Sequence, residues 1–333
     1  MASFDFRELF KTFSTAKIGV IGDVMLDTYW WGNVERISPE APVPVVTVDR
    51  KEYRIGGAGN VALNLASLGA PVCVFSVMGD DEDGHILSSL LNEKKIDTSY
   101  LLKSAERMTT NKMRVISRNQ QMLRLDSETL VPLNVQQEET LIAQVRDFVE
   151  IHSPAAMIFE DYNKGVLTQK VISTLIDICK TKSVITAVDP KRKNFFEYRG
   201  VDIFKPNLKE AREALNLFVD EVNETNLALI HQKLKEELNH RISLITLSEK
   251  GVFYEDGQEI HIVPSHIRSV ADVSGAGDTV IAVATLIYAL TRDTRMMAEI
   301  ANLAGGLVCE TVGTVAIDKA RLLRECQRLL IDK

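Results

Sequence analysis

Asp272-Val-Ser-Gly-Ala-Gly-Asp278 is the stretch that decides the interpretation of this chain, and the apolar run 279–290 follows it directly. A Gly-Ala-Gly turn at the start of a helix leaves backbone N–H groups unpaired, and the helix dipole adds to their attraction for an anion. Because like charges repel, Asp278 is better suited to accept a proton from a hydroxyl that attacks a bound phosphate. The alternative interpretation is an ordinary helix start with Asp278 as a favourable first-turn acid.

A second glycine-rich turn, Gly-Gly-Ala-Gly-Asn-Val-Ala at 56–62, ends one extended run and begins a helical spacing. Glycines let a ligand approach the backbone, and the Asn60 amide can both donate to and accept from hydroxyl groups. Taken alone, such a turn often serves packing. No Gly-Lys-Ser/Thr follows it, and no G-x-G-x-x-G follows the first strand, so a Walker A loop and a Rossmann dehydrogenase are both disfavoured.

Outward from these turns, apolar runs and helical spacings alternate along the chain. Strands are predicted at 17–23, 72–77, 155–160, 183–189, 202–205 and 242–246. Helices are predicted at 60–68, 81–94, 135–152, 168–180, 207–215, 226–238, 277–290, 296–310 and 319–330. The alternation predicts an α/β fold, a central and mostly parallel sheet with helices on both faces and ligands at the carboxyl ends of the strands.

Two segments, 29–53 and 109–126, interrupt this alternation with β-branched, aromatic and extended runs. Together they predict a small β-sheet that projects beside the active-site edge as a lid. The sequence shows no internal repeat, low-complexity tract or long linker. We therefore expect residues 1–333 to form a single domain into which the lid strands are inserted.

The bulk composition excludes several classes of function. Net charge is −7, so a general basic surface for nucleic acid is absent. The four cysteines are far apart and form no C-x-x-C pair, which disfavours a zinc site or a disulfide framework. The longest apolar run, 280–290, is well short of the ~20 residues that span a bilayer. We expect a cytoplasmic protein without nucleic-acid or membrane partners.

Together, the two turns resemble the paired signatures of the ribokinase-like (PfkB) sugar kinases. The first signature is matched by Gly56, Gly57, Ala58, Asn60, Ala62, Gly69 and Gly79, and the second by the D-x-S-G-A-G-D stretch. Order and spacing agree from about residue 18 to residue 313. One departure is Val283, where many members have a small residue, and it bears on packing more than on chemistry. The resemblance implies a ribokinase-like fold and a carbohydrate kinase.

The resemblance also implies a role for each matching residue. Asp278 matches the catalytic base, and Gly275, Ala276 and Gly277 match the anion hole. Asp27, Gly57 and Asn60 match sugar contacts, although an Asp after a strand is otherwise read as a turn cap. The N-x-x-E element that organises Mg²⁺ and phosphate is matched by Asn207, Leu208, Lys209 and Glu210, with Glu210 acting on the metal indirectly. Outside the family, that Asn/Glu pair is an ordinary capping box.

ATP and Mg²⁺ are the implied cofactors, and a monovalent cation is left open. Ser248, Lys250 and Gly251 match the nucleotide loop, and Asn302 matches a helix that borders the adenine pocket. Stretches at 22–45, 111–126, 160–167, 189–191 and 205–210 further resemble a subfamily of heptose 7-phosphate kinases. The substrate's own phosphate needs cations, and the candidates are Arg114, Arg118, Arg124 and Lys164. Each of the four is otherwise a surface charge.

The expected reaction is phosphoryl transfer from ATP to the anomeric hydroxyl of a phosphosugar. Two alternatives stay open, another sugar kinase of the same family and a nucleotide- or sugar-binding regulator without activity. A retained Asp278 argues against the regulator, because a pure binder needs no base there. The chain ends soon after Gly313 without an H-x-G-H motif, and it resembles a stand-alone kinase or a kinase domain. Lid pairing in the family implies a homodimer.

Overall fold

The computed structural model describes residues 4–118, 120–218, 221–266 and 269–330. Within these ranges the strands are β1 (Ile18–Gly22), β2 (Val24–Ile37), β3 (Pro44–Gly57), β4 (Val72–Gly79), β5 (Leu101–Ser104), β6 (Thr110–Ser117), β7 (Gln120–Ser127), β8 (Ala156–Glu160), β9 (Ile185–Asp189), β10 (Ile203–Phe204), β11 (Ile242–Thr246), β12 (Val252–Glu255) and β13 (Ile260–Val263). The helices are α1 (Phe6–Thr12), α2 (Ala58–Leu68), α3 (Glu82–Glu93), α4 (Val135–His152), α5 (Gln169–Thr181), α6 (Leu208–Leu215), α7 (Glu224–Leu238), α8 (Ala276–Thr291), α9 (Thr294–Val308) and α10 (Lys319–Leu329).

The larger sheet has the strand order β13-β12-β11-β10-β9-β8-β1-β4-β5. Its strands are parallel except β12 and β13, which run antiparallel to their neighbours. The central strands β1, β8 and β9 are buried along their whole length, as a parallel sheet covered on both faces requires. The predicted α/β class is confirmed. β5, β12 and β13 were not predicted, because four residues are too few to show a period.

Local capping sets the helix ends, and for this reason the predicted helices agree with the structure to within two residues. Asn134 begins α4 with a capping box, in which its side chain accepts from the Gln137 N–H and Gln137 bonds back to Asn134. The short helix α1 was not predicted. Asp5 caps it, and it buries Phe6 and Phe10.

A second, four-stranded sheet has the order β3-β2-β6-β7, and we call it the lid sheet. Its first strand β2 begins at Val24, so Asp27 lies inside a strand and the turn-cap interpretation of Asp27 is wrong. The start of β2 is buried against the body, while every residue of β7 is exposed. The predicted small β-sheet is confirmed. The turn predicted at 118–119 is described only at Arg118, since Asn119 lies outside the described residues.

Two apolar clusters cover the faces of the larger sheet. One includes buried residues of α2, α8 and α9, and the other includes those of α4, α5 and α7. Val283 is buried within α8, so its larger side chain is accommodated in the first cluster. In the described part of the chain, no helix combines the length and the apolar character that a membrane span would need.

Candidate active site

The turn at residues 275–277, which we call the phosphate turn, begins α8. Gly275 caps the helix with φ +77, and a Cβ at this position would lie 2.9 Å from the Asn60 Nδ2. Glycine is therefore needed at 275 for both conformation and space. Gly277 does not have a positive φ, and a Cβ there would meet only the Asp189 carboxylate at 3.5 Å and the Lys205 amine at 3.7 Å. The space beside the Gly277 backbone, where the sequence predicts an anion, is therefore open.

Asp278 is buried in the first turn of α8 and is held by two hydrogen bonds. Its Oδ2 accepts from the Asn60 Nδ2 at 2.7 Å, and its Oδ1 accepts from the Tyr162 hydroxyl at 2.8 Å. Burial raises the pKa of Asp278, while these two donors oppose that shift. The carboxylate is therefore fixed in orientation and made more basic, as a general base needs. The structure thus joins the two predicted turns through one contact.

Three strand ends place charged groups beside the phosphate turn. Glu160 ends β8, Asp189 ends β9, and Lys205 directly follows β10. The Lys205 Nζ lies 2.7 Å from the Asp189 Oδ2. Burial raises the pKa of Asp189, but the nearby Lys205 and Lys191 outweigh it and hold that pKa below its ordinary value. Asp189 and Lys205 therefore form an ion pair beside the phosphate turn.

Asp27 and the second glycine turn form the wall of the site opposite the phosphate turn. Asp27 is buried on β2, and its Oδ1 accepts from the Arg114 Nη1 at 2.6 Å. A Cβ at Gly56 would lie 2.5 Å from the Asp27 Oδ2, and a Cβ at Gly57, where φ is +59, would lie 2.3 Å from the Asp23 carbonyl oxygen. Both glycines are thus required by the close approach of β2. We call residues 56–60 the sugar turn.

The four predicted cations do not form one cluster. Arg114 is bound to Asp27, as above, and Lys164 is mostly buried with its Nζ 2.6 Å from the Glu128 carboxylate. Arg118 is exposed in the turn between β6 and β7. Arg124 is half exposed and pairs with Asp126. Only Arg114 and Lys164 are thus held in partly buried positions by contacts with the body or with the start of the lid sheet.

Sequence reasoning missed Lys112, a cation on β6. Its Nζ lies over the ring of Tyr162, 5.4 Å from the ring centre, and Tyr162 in turn contacts the base. Within the described residues, this Nζ has no ion pair and no hydrogen bond. Burial and the nearby Lys164 lower the pKa of Lys112. The carboxylates of Asp27, Asp126 and Glu128 act on this pKa in the opposite direction.

A cavity of about 1010 Å³ opens beside α6, on the nucleotide side of the predicted site. Of the predicted residues, Asn207, Leu208, Lys209, Ser248 and Lys250 line it. Gly251 follows with φ +102, and a Cβ there would lie 2.0 Å from the Val263 carbonyl oxygen. Asn302 lies on α9 and donates to the Pro264 carbonyl at 2.9 Å, so it holds the loop after β13. Asn302 is not among the residues that line the cavity.

The N-x-x-E element is a capping box in the structure. The Asn207 Oδ1 accepts from the Glu210 N–H at 2.8 Å, and the Glu210 Oε2 accepts from the Asn207 N–H at 2.9 Å. The remaining Glu210 oxygen is 2.7 Å from the Lys191 Nζ. Glu210 is therefore oriented at both oxygens, and Lys191 links it to Asp189, which lies 3.7 Å from the same amine.

A buried aspartate held in one orientation beside an open glycine turn, at the carboxyl ends of a parallel sheet, is an arrangement that fits phosphoryl transfer to a hydroxyl group. The fold and the site together define a carbohydrate kinase. The chain belongs to the pfkB family of carbohydrate kinases, because that family's profile matches residues 15–320.

Curated relatives are similar to this chain over most of its length. The "Bifunctional protein HldE" of Aliarcobacter butzleri is 43% identical over 297 residues, covering 89% of this chain. The protein of the same name from Syntrophotalea carbinolica is 39% identical over 305 residues, covering 91%. The chain spans only 61% of the length of either relative.

Solved structures share the fold. Phosphofructokinase-2 from Escherichia coli, in complex with potassium, matches with a TM-score of 0.79 at 19% identity, over 94% of this chain and 100% of the other. Arabidopsis thaliana ribokinase, complexed with ribose and ATP, matches with a TM-score of 0.72 at 16% identity, over 93% of this chain and 99% of the other. The ribokinase-like fold that the sequence predicted is confirmed.

Proposed function

We propose that this kinase transfers the γ-phosphoryl group of ATP to the anomeric hydroxyl of D-glycero-β-D-manno-heptose 7-phosphate. The product is the 1,7-bisphosphate, a precursor for the ADP-heptose of lipopolysaccharide core. The observation that carries the phosphosugar assignment is the unpaired Lys112, held beside Tyr162 and close to Lys164. The resemblance of the lid and loop sequences to heptose 7-phosphate kinases supports the choice of sugar.

Asp278 acts as the general base in this proposal. The acceptor hydroxyl binds against the carboxylate, which Asn60 and Tyr162 keep in one orientation. As the hydroxyl oxygen attacks phosphorus, its proton moves to Asp278, and such positioned proton transfer is worth roughly 10²–10⁴-fold in rate. The raised pKa of Asp278 makes it a better acceptor than an exposed aspartate.

The phosphate turn stabilises the phosphoryl group during its transfer. The N–H group of Gly277 lies in the first turn of α8, where it has no partner within the helix, whereas the Ala276 N–H donates to the Val273 carbonyl at 3.3 Å. Charge develops on the equatorial oxygens of the transferring phosphoryl group, and fixed donors at a helix start lower its energy. The Lys205–Asp189 pair keeps a positive group within reach of the same oxygens.

Mg·ATP is the proposed donor, with its base and ribose in the cavity beside α6. The residues present fit a divalent cation, since buried carboxylate oxygens without a hydrogen-bond partner lie beside the phosphate turn. When bound, Mg²⁺ neutralises charge on the phosphates. Glu210 would act on it through water, because both Glu210 oxygens are already bonded. A monovalent cation is kept as a proposed activator.

The substrate's own phosphate is placed between Lys112 and Lys164. Its two negative charges would relieve the repulsion between the lysines, and Lys164 would exchange Glu128 for it. Arg114 is assigned a different task, because its 2.6 Å contact with Asp27 holds that carboxylate for the sugar hydroxyls. Arg118 and Arg124 are assigned no contact with the substrate.

A coupled ADP-release assay across sugars and sugar phosphates tests this function. We expect heptose 7-phosphate to be the best acceptor and the unphosphorylated heptose to be a poor one. Equal rates with free sugars would favour the broader interpretation, another sugar kinase of the family. ATP binding with no ADP release for any acceptor would favour the inactive regulator.

The lid sheet is also the proposed dimer interface and active-site cover, inserted in a single kinase domain. Its outer residues include an exposed apolar set: Ile37, Val43, Val48, Met122, Leu123 and Leu125. Burying such a set against a second copy removes it from water. The cytoplasm is the proposed location, where the four free cysteines would stay reduced.

A further inference from the structure

Glu160 is the least compensated charge-bearing group of the site. It ends β8 between Gly22 of β1 and Asp189 of β9, and its exposed fraction is 0%. Neither carboxylate oxygen has a hydrogen-bond partner among the described residues. Buried carboxylates are normally paired or hydrogen-bonded, because burying an isolated charge costs several kcal/mol or more. A buried, unpartnered carboxylate therefore indicates that something else occupies its oxygens.

The neighbours of Glu160 increase this excess of negative charge. One oxygen each of Glu160, Asp189 and Asp278 lie within 4.8 Å of one another. Lys205 binds the Asp189 Oδ2, and Lys191 is divided between Asp189 and Glu210.

The hydrogen bonds of this cluster show which oxygens are free. Asn60 and Tyr162 each donate to one oxygen of Asp278. Both oxygens of Glu160 and the Oδ1 of Asp189 have no hydrogen-bond partner. The free acceptors thus lie on two adjacent strand ends, beside the phosphate turn.

Either a proton or a cation can balance these acceptors. A proton neutralises one carboxylate and leaves the other oxygens unpaired. A divalent cation binds several oxygens at once, and hard cations of this kind prefer carboxylate ligands. Two ligands of one Mg²⁺ lie at most about 4.2 Å apart. Because the oxygens already lie within 4.8 Å of one another, a shift of less than about 1 Å would bring two of them to that separation.

We propose that Glu160 is a direct ligand of a divalent cation, which it shares with the Oδ1 of Asp189, an oxygen without a hydrogen bond that lies 3.7 Å from the Lys191 Nζ. This site differs from the Asn207–Glu210 element, whose oxygens are already bonded to Lys191 and to the backbone. It lies where a phosphate on the turn would complete the coordination, since the Cβ position of Gly277 is 3.5 Å from the Asp189 carboxylate. The proposal does not depend on which sugar is phosphorylated.

Mn²⁺ binding to the nucleotide-free protein tests the proposal, followed by the electron paramagnetic resonance signal of free Mn²⁺. We expect the parent chain to bind one Mn²⁺ and Glu160→Gln to bind it at least about tenfold more weakly, as loss of a metal-site group typically does. Glu255→Gln is the matched control, because Glu255 also has a buried oxygen without a partner but lies on β12. Its Mn²⁺ affinity should equal that of the parent.

A further variant keeps the result decisive. Glu160→Asp retains the charge on a shorter side chain and should bind Mn²⁺ with intermediate affinity, which a packing role would not produce.

Equal Mn²⁺ affinity in the parent and in Glu160→Gln would overturn the proposal, and so would a parent that binds no Mn²⁺ without nucleotide. In either case Glu160 is not a ligand of the cation. These outcomes leave the sugar assignment untouched, because that rests on ADP release with different acceptors. A kinase inactive on heptose 7-phosphate, conversely, leaves the Mn²⁺ result intact.

Discussion

The sugar turn (residues 56–60) and the phosphate turn (residues 275–277) read almost alike in sequence, yet they differ in space. At the sugar turn, a Cβ on Gly56 or Gly57 would lie 2.5 Å or less from atoms of Asp27 or Asp23. At the phosphate turn, a Cβ on Gly277 would meet no described atom closer than 3.5 Å. The sugar turn is thus closed by neighbouring atoms of the same chain, whereas the position of Gly277 has space beside it.

This difference shows that two glycines in similar motifs serve different physical ends. Gly57 is required by the fold, because only glycine adopts φ +59 freely with a carbonyl so close. Gly277 is not required by its helical backbone, so we assign its lack of a side chain to the bound phosphate. The contrast predicts that a substitution at Gly57 acts on stability, and one at Gly277 acts on turnover.

The largest effect is expected at the base beside the phosphate turn. Asp278→Asn keeps the shape and the contact with Tyr162 but cannot accept a proton, so kcat should fall by roughly 10²–10⁴-fold. ATP should still bind, as measured by titration calorimetry. Near-normal turnover of this variant would mean that Asp278 is not the general base. The phosphate turn would then have no catalytic role that distinguishes it from the sugar turn.

The same substitution at both turns sharpens the comparison. Gly57→Ala should lower the free energy of unfolding by at least ~1–2 kcal/mol, the usual strain of a left-handed non-glycine residue. Gly277→Ala should change it by less than ~1 kcal/mol, or stabilise α8, while kcat falls at least about tenfold because the anion donors are obstructed. Denaturant unfolding and steady-state kinetics of the two variants check this. If Gly277→Ala lost stability and activity together, the predicted difference between Gly57 and Gly277 would be wrong.

A third test concerns the wall opposite the phosphate turn. Lys112→Met keeps the packing over Tyr162 but removes the charge, and loss of one charge-assisted hydrogen bond costs ~1.5–3 kcal/mol. KM for the phosphosugar should rise roughly 10–150-fold while KM for ATP stays nearly constant. Arg124→Ala, at a half-exposed cation paired with Asp126, is the control and should leave both constants unchanged. Equal effects of the two variants would place the substrate phosphate elsewhere.

The smallest effect should arise outside both turns, at a buried histidine pair. Burial lowers the pKa of His231 to about 4 and that of His240 to about 3, from an ordinary 6.5. Both share the Ser243 hydroxyl as neutral rings. Below pH 6.5 the unfolded chain takes up protons that the folded chain does not, so stability is complete above this pH and is lost as pH falls.

Thermal unfolding at pH 7.5 and 5.5 measures this loss, which should appear as a lower Tm at the acid pH. His240→Gln should lower Tm at both values but reduce the difference between them. His85→Gln, at an exposed ring, should retain the parent's full difference. An unchanged pH dependence in His240→Gln would mean that other groups carry the acid sensitivity.

Local patterns were enough to predict much of the fold. Apolar runs and capping residues gave the strands and helices of the larger sheet, because these depend on neighbours a few residues apart. Local patterns did not predict the short strands β5, β12 and β13 or the helix α1, because these elements are stabilised mainly by packing against longer ones. Of the site, the sequence pointed to Asp278, Asn60 and both glycine turns, each of which belongs to a recognisable motif.

The remaining site residues lie in stretches that resemble the subfamily, but no role was predicted for them. Glu160 and Asp189 end their strands, Tyr162 and Lys205 follow strands, and Lys112 lies on the lid strand β6. A search for charged residues directly after predicted strands would have found most of them, since parallel strands end at one edge. Such a search could not have predicted which of these side chains contact each other, because those contacts depend on strand order.

The sequence by itself thus determined the chemistry available: a base, two glycine turns, and a set of lysines and carboxylates in a pfkB kinase. Only the tertiary structure decided how these groups are combined. Asn60 and Asp278 are 218 residues apart, and they meet because α2 and α8 pack side by side over the same sheet. The carboxylates of Glu160 and Asp189 lie beside each other because β8 and β9 are neighbours. Strand order and helix packing are set by long-range burial of apolar faces, which no local pattern encodes.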